Sequence, residues 1–259
     1  MKLRVLRGNR TLRSIRLRET QKKLRPLLPN FFTVGNLAAG LAGILLALQG
    51  QVWIAAWMVG LSMVFDALDG RIARWLKIEG EFGKEMDSLA DLVSFGVLPA
   101  LLMYEVNLKS LGYYGWAIMM LFPICGALRL ARFNILKVSG YFLGLPITAA
   151  GGLVASFIVY GRKLDSWVFP FLTLAIAYLM VSTIRYPDFK KSPHGRLKIL
   201  PILIPAVAVV LTLRVDPKTI IFLPLLLYAA SGVYLHFERG WTNSVVPRLR
   251  WLAVKFRGY

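Results

Sequence analysis

The sequence has little cysteine and little histidine, and both shortages exclude common kinds of site. The single cysteine, Cys125, cannot form an intrachain disulfide, and its apolar neighbours favour a small buried side chain over a reactive thiol. The two histidines, His194 and His236, lie far apart and make no zinc-ligand spacing with Cys125. The chain is therefore neither a disulfide scaffold nor a zinc-finger protein.

Acidic residues are also scarce, because 32 Lys and Arg stand against 13 Asp and Glu and give a net charge of +19. At the same time 57% of the residues are hydrophobic and the mean hydropathy is +0.59, too apolar for an ordinary soluble domain. A basic chain can bind nucleic acid or anionic lipid headgroups, and long apolar runs favour the lipid. We therefore expect a membrane protein that contacts anionic membrane lipid and no nucleic acid.

Eight apolar segments follow one another along the chain, and most approach the ~20 residues that a spanning helix needs. The expected fold class is all-α: a polytopic membrane bundle of about eight transmembrane helices, preceded by a basic interfacial helix. The segments are 30–49, 52–76, 83–105, 111–136, 144–161, 166–184, 199–213 and 219–237.

The chain divides by charge into a basic arm (1–28), a membrane domain (29–239) and a basic tail (240–259). The arm lacks the apolar core and cleavage site of a signal peptide. Its arginines recur every three residues between apolar positions, which fits either a helix lying on an anionic leaflet or a disordered basic tail. Basic residues concentrate in alternate loops, so the positive-inside rule places both termini in the cytoplasm.

Four aspartates lie between apolar runs with helical spacing. Asp66 and Asp69 are three residues apart, and Asp87 and Asp91 are four apart, so each pair shares one helix face. Carboxylates at membrane depth are costly and mark a functional site. Because clustered carboxylates repel one another, the pattern predicts a cage for hard divalent ions near the cytoplasmic ends of the second and third segments.

Spacing alone leaves three interpretations of these four aspartates open. Two-metal sites serve phosphoryl displacement, an ion-coupled transporter would use acids as a cation path, and structural ion pairs could join the acids to Arg71, Arg74 or Arg129. Small residues beside the acids leave room for a bulky ligand, and a fixed cation there could clamp a second phosphate. These neighbours are Gly70, Ala73, Gly83 and Arg74.

The complete string, Asp66-x2-Asp69-Gly70-x2-Ala73-Arg74-x8-Gly83-x3-Asp87-x3-Asp91, resembles the signature of the CDP-alcohol phosphatidyltransferase family at every fixed position. The resemblance implies transfer of a phosphatidyl group from a CDP-linked lipid to an alcohol, with release of CMP. It also implies that the four aspartates bind two divalent cations, usually Mg or Mn, and that Asp91 is the general base. Asp69 and the small residues would adjoin the cytidine nucleotide, and relatives are often homodimers.

Further strings are similar to the phosphatidylserine synthase branch of this family, which implies CDP-diacylglycerol as donor and L-serine as acceptor. The family often has a second proline after the string Gly144-Leu145-Pro146, and Ile147 follows here instead. The other strings are Leu28-Pro29-Asn30-Phe31-Phe32-Thr33 followed by Gly35-Asn36, Asp87-Ser88-Leu89-Ala90-Asp91 running into Ser94-Phe95-Gly96, Arg129-Leu130-Ala131-Arg132-Phe133-Asn134, and Met180-Val181-Ser182 with Arg185-Tyr186-Pro187 and Phe189-Lys190.

Serine carries a carboxylate, and the planar fork of an arginine suits it. Candidates for contact with serine or the lipid phosphate end the fourth segment or follow the sixth, although each could instead be an interfacial anchor. Two polar residues at the cytoplasmic end of the first segment are expected to face the nucleotide. The basic candidates are Arg129, Arg132, Arg185 and Lys190, and the polar pair is Thr33 and Asn36.

The sequence leaves alternatives open for both the acceptor alcohol and the donor lipid. Glycerol 3-phosphate, inositol phosphate or choline would use the same chemistry, and charge alone does not separate them from serine. A diacyl and an ether lipid donor share the same reacting headgroup, so the sequence does not distinguish them either.

Overall fold

The computed structural model describes residues 27–76, 80–136, 141–160, 167–187, 225–226 and 228–232. Within these residues the chain is mostly helical, as the apolar segments predict. The α-helices are α1 (Leu27–Leu48), α2 (Val52–Leu76), α3 (Glu81–Asp91), α4 (Leu98–Val106), α5 (Tyr113–Ile135), α6 (Ile147–Tyr160) and α7 (Val168–Val181).

The third predicted segment is one continuous helix with a wider turn in its middle. A π-helical stretch, Leu92–Val97, joins α3 to α4, and the Leu98 amide donates to the Val93 carbonyl five residues back. Pro99 follows at the start of α4 and has no amide hydrogen to continue the regular ladder. The widened turn begins directly after Asp91, and such turns occur frequently at functional sites.

Four of the described helices are long and apolar enough to cross a membrane: Asn30–Leu48, Val52–Leu76, Glu81–Val106 and Tyr113–Ile135. Large apolar side chains cover their outer faces, as bilayer-facing helices require; Leu45 and Trp53, for example, are exposed. Two further apolar helices, Ile147–Val159 and Val168–Val181, are shorter. The protein is thus an integral membrane protein, while the count of eight spans stays a prediction.

Close packing of α1 against its neighbours brings three helices together around the acidic residues. Helix α1 runs along α2 and also contacts α3 and the π-helical stretch. At Gly40 in α1, an added Cβ would lie 3.0 Å from the Cα of Ser94. A glycine is therefore needed there for the two backbones to approach.

A short sheet, which the sequence does not predict, is added to the mostly helical fold. Strands β1 (Tyr141–Leu143) and β2 (Arg185–Pro187) pair antiparallel, with Phe142 opposite Tyr186. The predicted segments 144–161 and 166–184 are correspondingly shorter as helices. Three-residue strands carry too little alternation to stand out beside apolar helices, which is why the sequence does not indicate them.

Several predicted regions fall outside the described residues. The basic arm 1–28 is described only at Leu27 and Leu28, and the tail 240–259 is not described. The seventh predicted segment also lies outside. Of the eighth, residues 225–226 and 228–232 are described and are helical.

Candidate active site

Three of the four aspartates meet between α2 and α3. Asp66 and Asp69 lie near the end of α2, Asp87 lies in α3, and one carboxylate oxygen from each falls within 4.8 Å of the others. The helical spacing predicted from the sequence places Asp66 and Asp69 on the face of α2 that meets α3. The resulting group of three carboxylates is called the acidic cluster below.

The acidic cluster fits a divalent cation. Its donors are carboxylate oxygens, which hard ions such as Mg and Mn prefer. The Asp87 Oδ1 atom is buried without a hydrogen-bond partner in the described part of the chain, although a buried carboxylate oxygen normally has one. Within the same residues, no ion pair joins Asp69 or Asp87 to a basic side chain. Structural pairing with arginine therefore does not account for these two acids.

Asp91 lies one helical turn beyond Asp87, close enough to Asp66 and Asp87 to interact with their charges. Its side chain is buried, and its Oδ1 accepts a hydrogen bond from Asn36 Nδ2 at 3.2 Å. The group of three gathered oxygens does not include it. Asp91 is thus hydrogen-bonded to α1, and its role as general base stays a prediction.

Thr33 and Asn36 contact the acids directly. Both are buried on α1, and Thr33 Oγ1 donates a hydrogen bond to Asp69 Oδ2 at 3.0 Å. Their spacing of three residues puts both side chains on one helix face, from which each reaches an aspartate on a different helix. The expectation that they also face the nucleotide stays a prediction.

The small residues of the signature leave open space at the acidic cluster. Gly70 and Ala73 on α2 and Gly83 on α3 are all partly exposed, and Arg74 is exposed. An added Cβ at Gly70 would meet only the Arg74 guanidinium, at 3.5 Å, while one at Gly83 would lie 3.2 Å from Asn30 Oδ1. A ligand can therefore approach the backbone at Gly70, whereas the absence of a side chain at Gly83 makes room for Asn30 on α1.

Arg129 on α5 is a buried cation without full hydrogen bonding. Its side chain is 7% exposed, its guanidinium lies 5.2 Å from the centre of the Phe133 ring, and the charge of Asp91 acts on it. The Nε atom has no hydrogen-bond partner among the described residues. A buried donor of this kind indicates a missing anionic or polar partner.

Arg132, one turn further along α5, is used differently. Its guanidinium donates to the carbonyl of Leu143, the last residue of β1, at 2.9 Å, and to three carbonyls at the end of α7. These three belong to Met180, Val181 and Ser182, at 3.3, 2.9 and 3.0 Å. The side chain closes the C-terminal end of α7, where helix carbonyls need donors. This position leaves it little capacity for a ligand.

The other two basic candidates follow α7 in the sequence. Arg185 lies in β2, where it pairs with Leu143, and Lys190 lies outside the described residues. Their assignment to serine or the lipid phosphate stays a prediction.

Several residues near the site were not picked out by sequence reasoning. Asn134 Nδ2 donates to Ser88 Oγ at 3.1 Å and so joins α5 to α3 beside the acidic cluster. Ser62 and Ser94 donate to the main-chain carbonyl of Asn36. Ser94 and Asn134 belong to strings that resemble the family, which was the available signal, whereas nothing in the sequence singles out Ser62.

The fold and the acidic cluster together define a class: helical membrane proteins with a carboxylate centre suited to divalent cations. Residues 26–228 match the family model described as CDP-alcohol phosphatidyltransferase. The chain belongs to this family, whose members are generally dependent on divalent metals. The resemblance drawn from the aspartate signature is confirmed.

Curated relatives give the branch of the family. A CDP-diacylglycerol–serine O-phosphatidyltransferase of Helicobacter pylori is 41% identical over 175 residues, covering 64% of this chain and 73% of the relative. One of Bacillus subtilis is 36% identical over 165 residues, covering 63% and 92%. An archaetidylserine synthase of Methanothermobacter thermautotrophicus is 39% identical over 164 residues, covering 62% and 69%.

Proposed function

We propose that this protein is a metal-dependent CDP-diacylglycerol–serine O-phosphatidyltransferase, which makes phosphatidylserine and CMP for phospholipid biosynthesis. The observation that carries the proposal is the gathering of Asp66, Asp69 and Asp87 oxygens within 4.8 Å, with Asp91 one turn further on. The similarity to relatives named for serine as acceptor supports the choice of alcohol. An ion-coupled transporter, the alternative from another class, finds no support in the family match.

The acidic cluster would hold two divalent cations, Mg or Mn, with Asp91 contributing in part. Bound there, the cations supply neutralisation of the diphosphate charge and stabilisation of the departing CMP. Gly70, Ala73 and Gly83 leave space for the nucleotide beside the acids. Arg74, at the exposed rim, supplies a fixed positive charge for a phosphate.

Asp91 acts as the general base in a direct displacement. The serine hydroxyl oxygen forms a bond to the phosphorus that carries diacylglycerol, and the bond from that phosphorus to the oxygen of CMP breaks. The hydroxyl proton passes to the Asp91 carboxylate, and CMP leaves with the bonding electron pair. A positioned base of this kind typically contributes ~10²–10⁴-fold to the rate.

Arg129 is the best-supported contact for the serine carboxylate or the lipid phosphate. It is buried, its Nε has no hydrogen-bond partner in the described part of the chain, and the charge of Asp91 acts on it. A substrate anion at this position would satisfy the guanidinium and bring the serine hydroxyl towards the base. Arg132, Arg185 and Lys190 are weaker candidates for the same role.

The proposed topology has eight spans, both termini in the cytoplasm and the site at the cytoplasmic face, within the domain boundaries 1–28, 29–239 and 240–259. It rests on the distribution of basic residues between loops. Single cysteines introduced at each terminus should react with an impermeant thiol reagent only from the cytoplasmic side. Labelling of either terminus from the outside would contradict the topology.

A homodimer is also proposed, and a monomeric mass in native mass spectrometry would contradict it.

The acceptor is tested by measuring CMP release from CDP-diacylglycerol in mixed micelles. Serine should support release in the presence of Mg or Mn and not with a chelator, whereas glycerol 3-phosphate, inositol phosphate and choline should not. A parallel series with a CDP-linked ether lipid addresses the donor, because one relative is named for archaetidylserine. Release supported by another alcohol in preference to serine would overturn the assignment.

A matched pair of variants ties the activity to the acidic cluster. Asp87→Asn should abolish serine-dependent release. Glu105→Gln should leave it unchanged, because Glu105 pairs with Lys109 at 3.3 Å, at the other end of the same long helix. Equal loss in both variants would mean that the effect is on folding and not on the site.

A further inference from the structure

The side chain of Asn36 donates a hydrogen bond to Asp91, the proposed general base. Asn36 is fully buried, and its Nδ2 donates to Asp91 Oδ1 at 3.2 Å. The orientation of the amide follows from chemistry, because an ionised carboxylate only accepts hydrogen bonds. The nitrogen of the amide therefore faces Asp91.

Asn36 is itself held in place by two neighbouring helices. Its main-chain carbonyl accepts hydrogen bonds from Ser62 Oγ on α2, at 3.2 Å, and from Ser94 Oγ in the π-helical stretch, at 3.0 Å. All three residues are buried. The backbone of Asn36 on α1 is thus held by α2 and by the π-helical stretch, and this fixes the position from which its side chain reaches Asp91.

The amide has no second use among the described residues. Asn36 Oδ1 is buried and has no hydrogen-bond partner there. A buried amide with an unsatisfied oxygen is costly, by about 1–3 kcal/mol, so its retention calls for a compensating role. The one hydrogen bond that the side chain does make goes to Asp91.

Asp91 needs orientation from outside the acidic cluster. The three gathered carboxylate oxygens come from Asp66, Asp69 and Asp87 and do not include Asp91. In the proposed function Asp91 contributes to the cations only in part, so cation binding alone does not fix the orientation of its carboxylate. The terminal torsion of an aspartate is broad, and a base displaced by about 1 Å can lose about 10²-fold in rate. A single donor held by the fold removes this freedom.

We propose that Asn36 is a positioning residue, which fixes the Asp91 carboxylate so that one oxygen is aimed at the acceptor hydroxyl. The inference rests on the proposed function, in which Asp91 is the general base. It replaces nucleotide contact as the main role of Asn36. Asn36 acts on the chemical step and not on the binding of either substrate or of the cations.

The test uses the full chain with two variants and a control. Asn36→Leu removes the donor while keeping the number and branching of the side-chain heavy atoms, and Asn36→Ser keeps a shorter donor. Thr173→Val is the control, since Thr173 is equally buried and bonds only its own helix, at the Phe169 carbonyl. For each, kcat and the KM values for serine and CDP-diacylglycerol are measured, together with the rise in Tm caused by Mn²⁺ plus CDP.

The expected result is a loss in kcat of about 10²-fold for Asn36→Leu and a smaller loss for Asn36→Ser. Both KM values and the Mn²⁺-dependent rise in Tm should stay within about twofold of the parent, and Thr173→Val should match the parent throughout. If CMP release by the unsubstituted enzyme did not depend on serine, the proposed function itself would be contradicted. Failure of the proposed function is thereby distinguished from failure of the inference about Asn36.

Three outcomes would overturn the inference. A kcat within about threefold of the parent in Asn36→Leu would show that Asp91 does not depend on the amide. A loss confined to the KM for CDP-diacylglycerol would assign Asn36 to the nucleotide. Loss of the Mn²⁺-dependent rise in Tm in both variants would make Asn36 a structural residue or part of the cation site.

Discussion

Arg129 and Arg132 lie one turn apart on α5, yet their surroundings give them different roles. Arg129 is buried against the Phe133 ring, and its Nε has no partner among the residues that the structure describes, whereas Arg132 donates to four main-chain carbonyls. Hydrogen bonds to a charged group contribute about 1.5–3 kcal/mol each before solvent screening, so Arg132 serves stability. Arg129 has the capacity for a ligand that Arg132 lacks.

Replacement by methionine should separate these two arginines, because it keeps the apolar stem and removes the charge. Arg132→Met should lower Tm by roughly 5 °C and leave the KM for serine unchanged. Arg129→Met should raise the KM for serine about tenfold or more, with a smaller change in Tm. Thermal unfolding and initial rates on both variants check this. An unchanged KM for serine in Arg129→Met would remove it from the acceptor site.

At the level of single residues, the sequence predicts the acidic residues well and the arginines less well. The spacing of Asp66, Asp69 and Asp87 places them on facing sides of two helices, because helical periodicity is regular. The role of Arg132 depends on the ends of α7 and β1, which lie far away in the sequence. No local pattern contains that information.

Among the structural elements, the short β1–β2 sheet contacts Arg132 through the carbonyl of Leu143. Gly144 directly follows β1 with φ of +76°, a conformation that L side chains rarely adopt. An added Cβ would also collide with the carbonyl of Met180 and with the Arg132 guanidinium. The chain can leave the sheet towards α6 in this way only with glycine at this position.

Gly144→Ala should therefore destabilise the protein without touching the acidic cluster. The left-handed backbone costs about 1–2 kcal/mol for a side chain, and the collision with the end of α7 adds to that. Gly50→Ala is a matched control, since Gly50 has φ of +77° but no atom within 4 Å of an added Cβ. Thermal unfolding should show a larger loss for Gly144→Ala. Equal losses of Tm in the two variants would mean that the left-handed backbone alone, and not the collision with Met180 and Arg132, causes the destabilisation.

The helices themselves follow from the sequence more closely than their irregularities do. Helix α2, Val52–Leu76, coincides with the predicted segment 52–76, because a long apolar run bounded by a turn has few alternatives in a membrane. The π-helical stretch before Pro99 and the three-residue strands were not predicted. Both depend on tertiary contacts and not on periodicity.

Over the whole molecule, a bundle with apolar outer faces encloses carboxylates at one end of its long helices. Four helices in the described part of the chain have the length and composition to span a bilayer, and two of them carry the acidic cluster. Such a placement of charge is costly unless cations and a substrate are bound there. The account therefore depends on divalent cations at Asp66, Asp69 and Asp87.

The most direct measurement is anomalous diffraction at the manganese edge from crystals grown with Mn²⁺ and CDP-diacylglycerol. The account predicts manganese peaks bonded to carboxylate oxygens of Asp66, Asp69 and Asp87 and in contact with the diphosphate. A bound diphosphate lying away from these three residues, with no manganese between them, would contradict it.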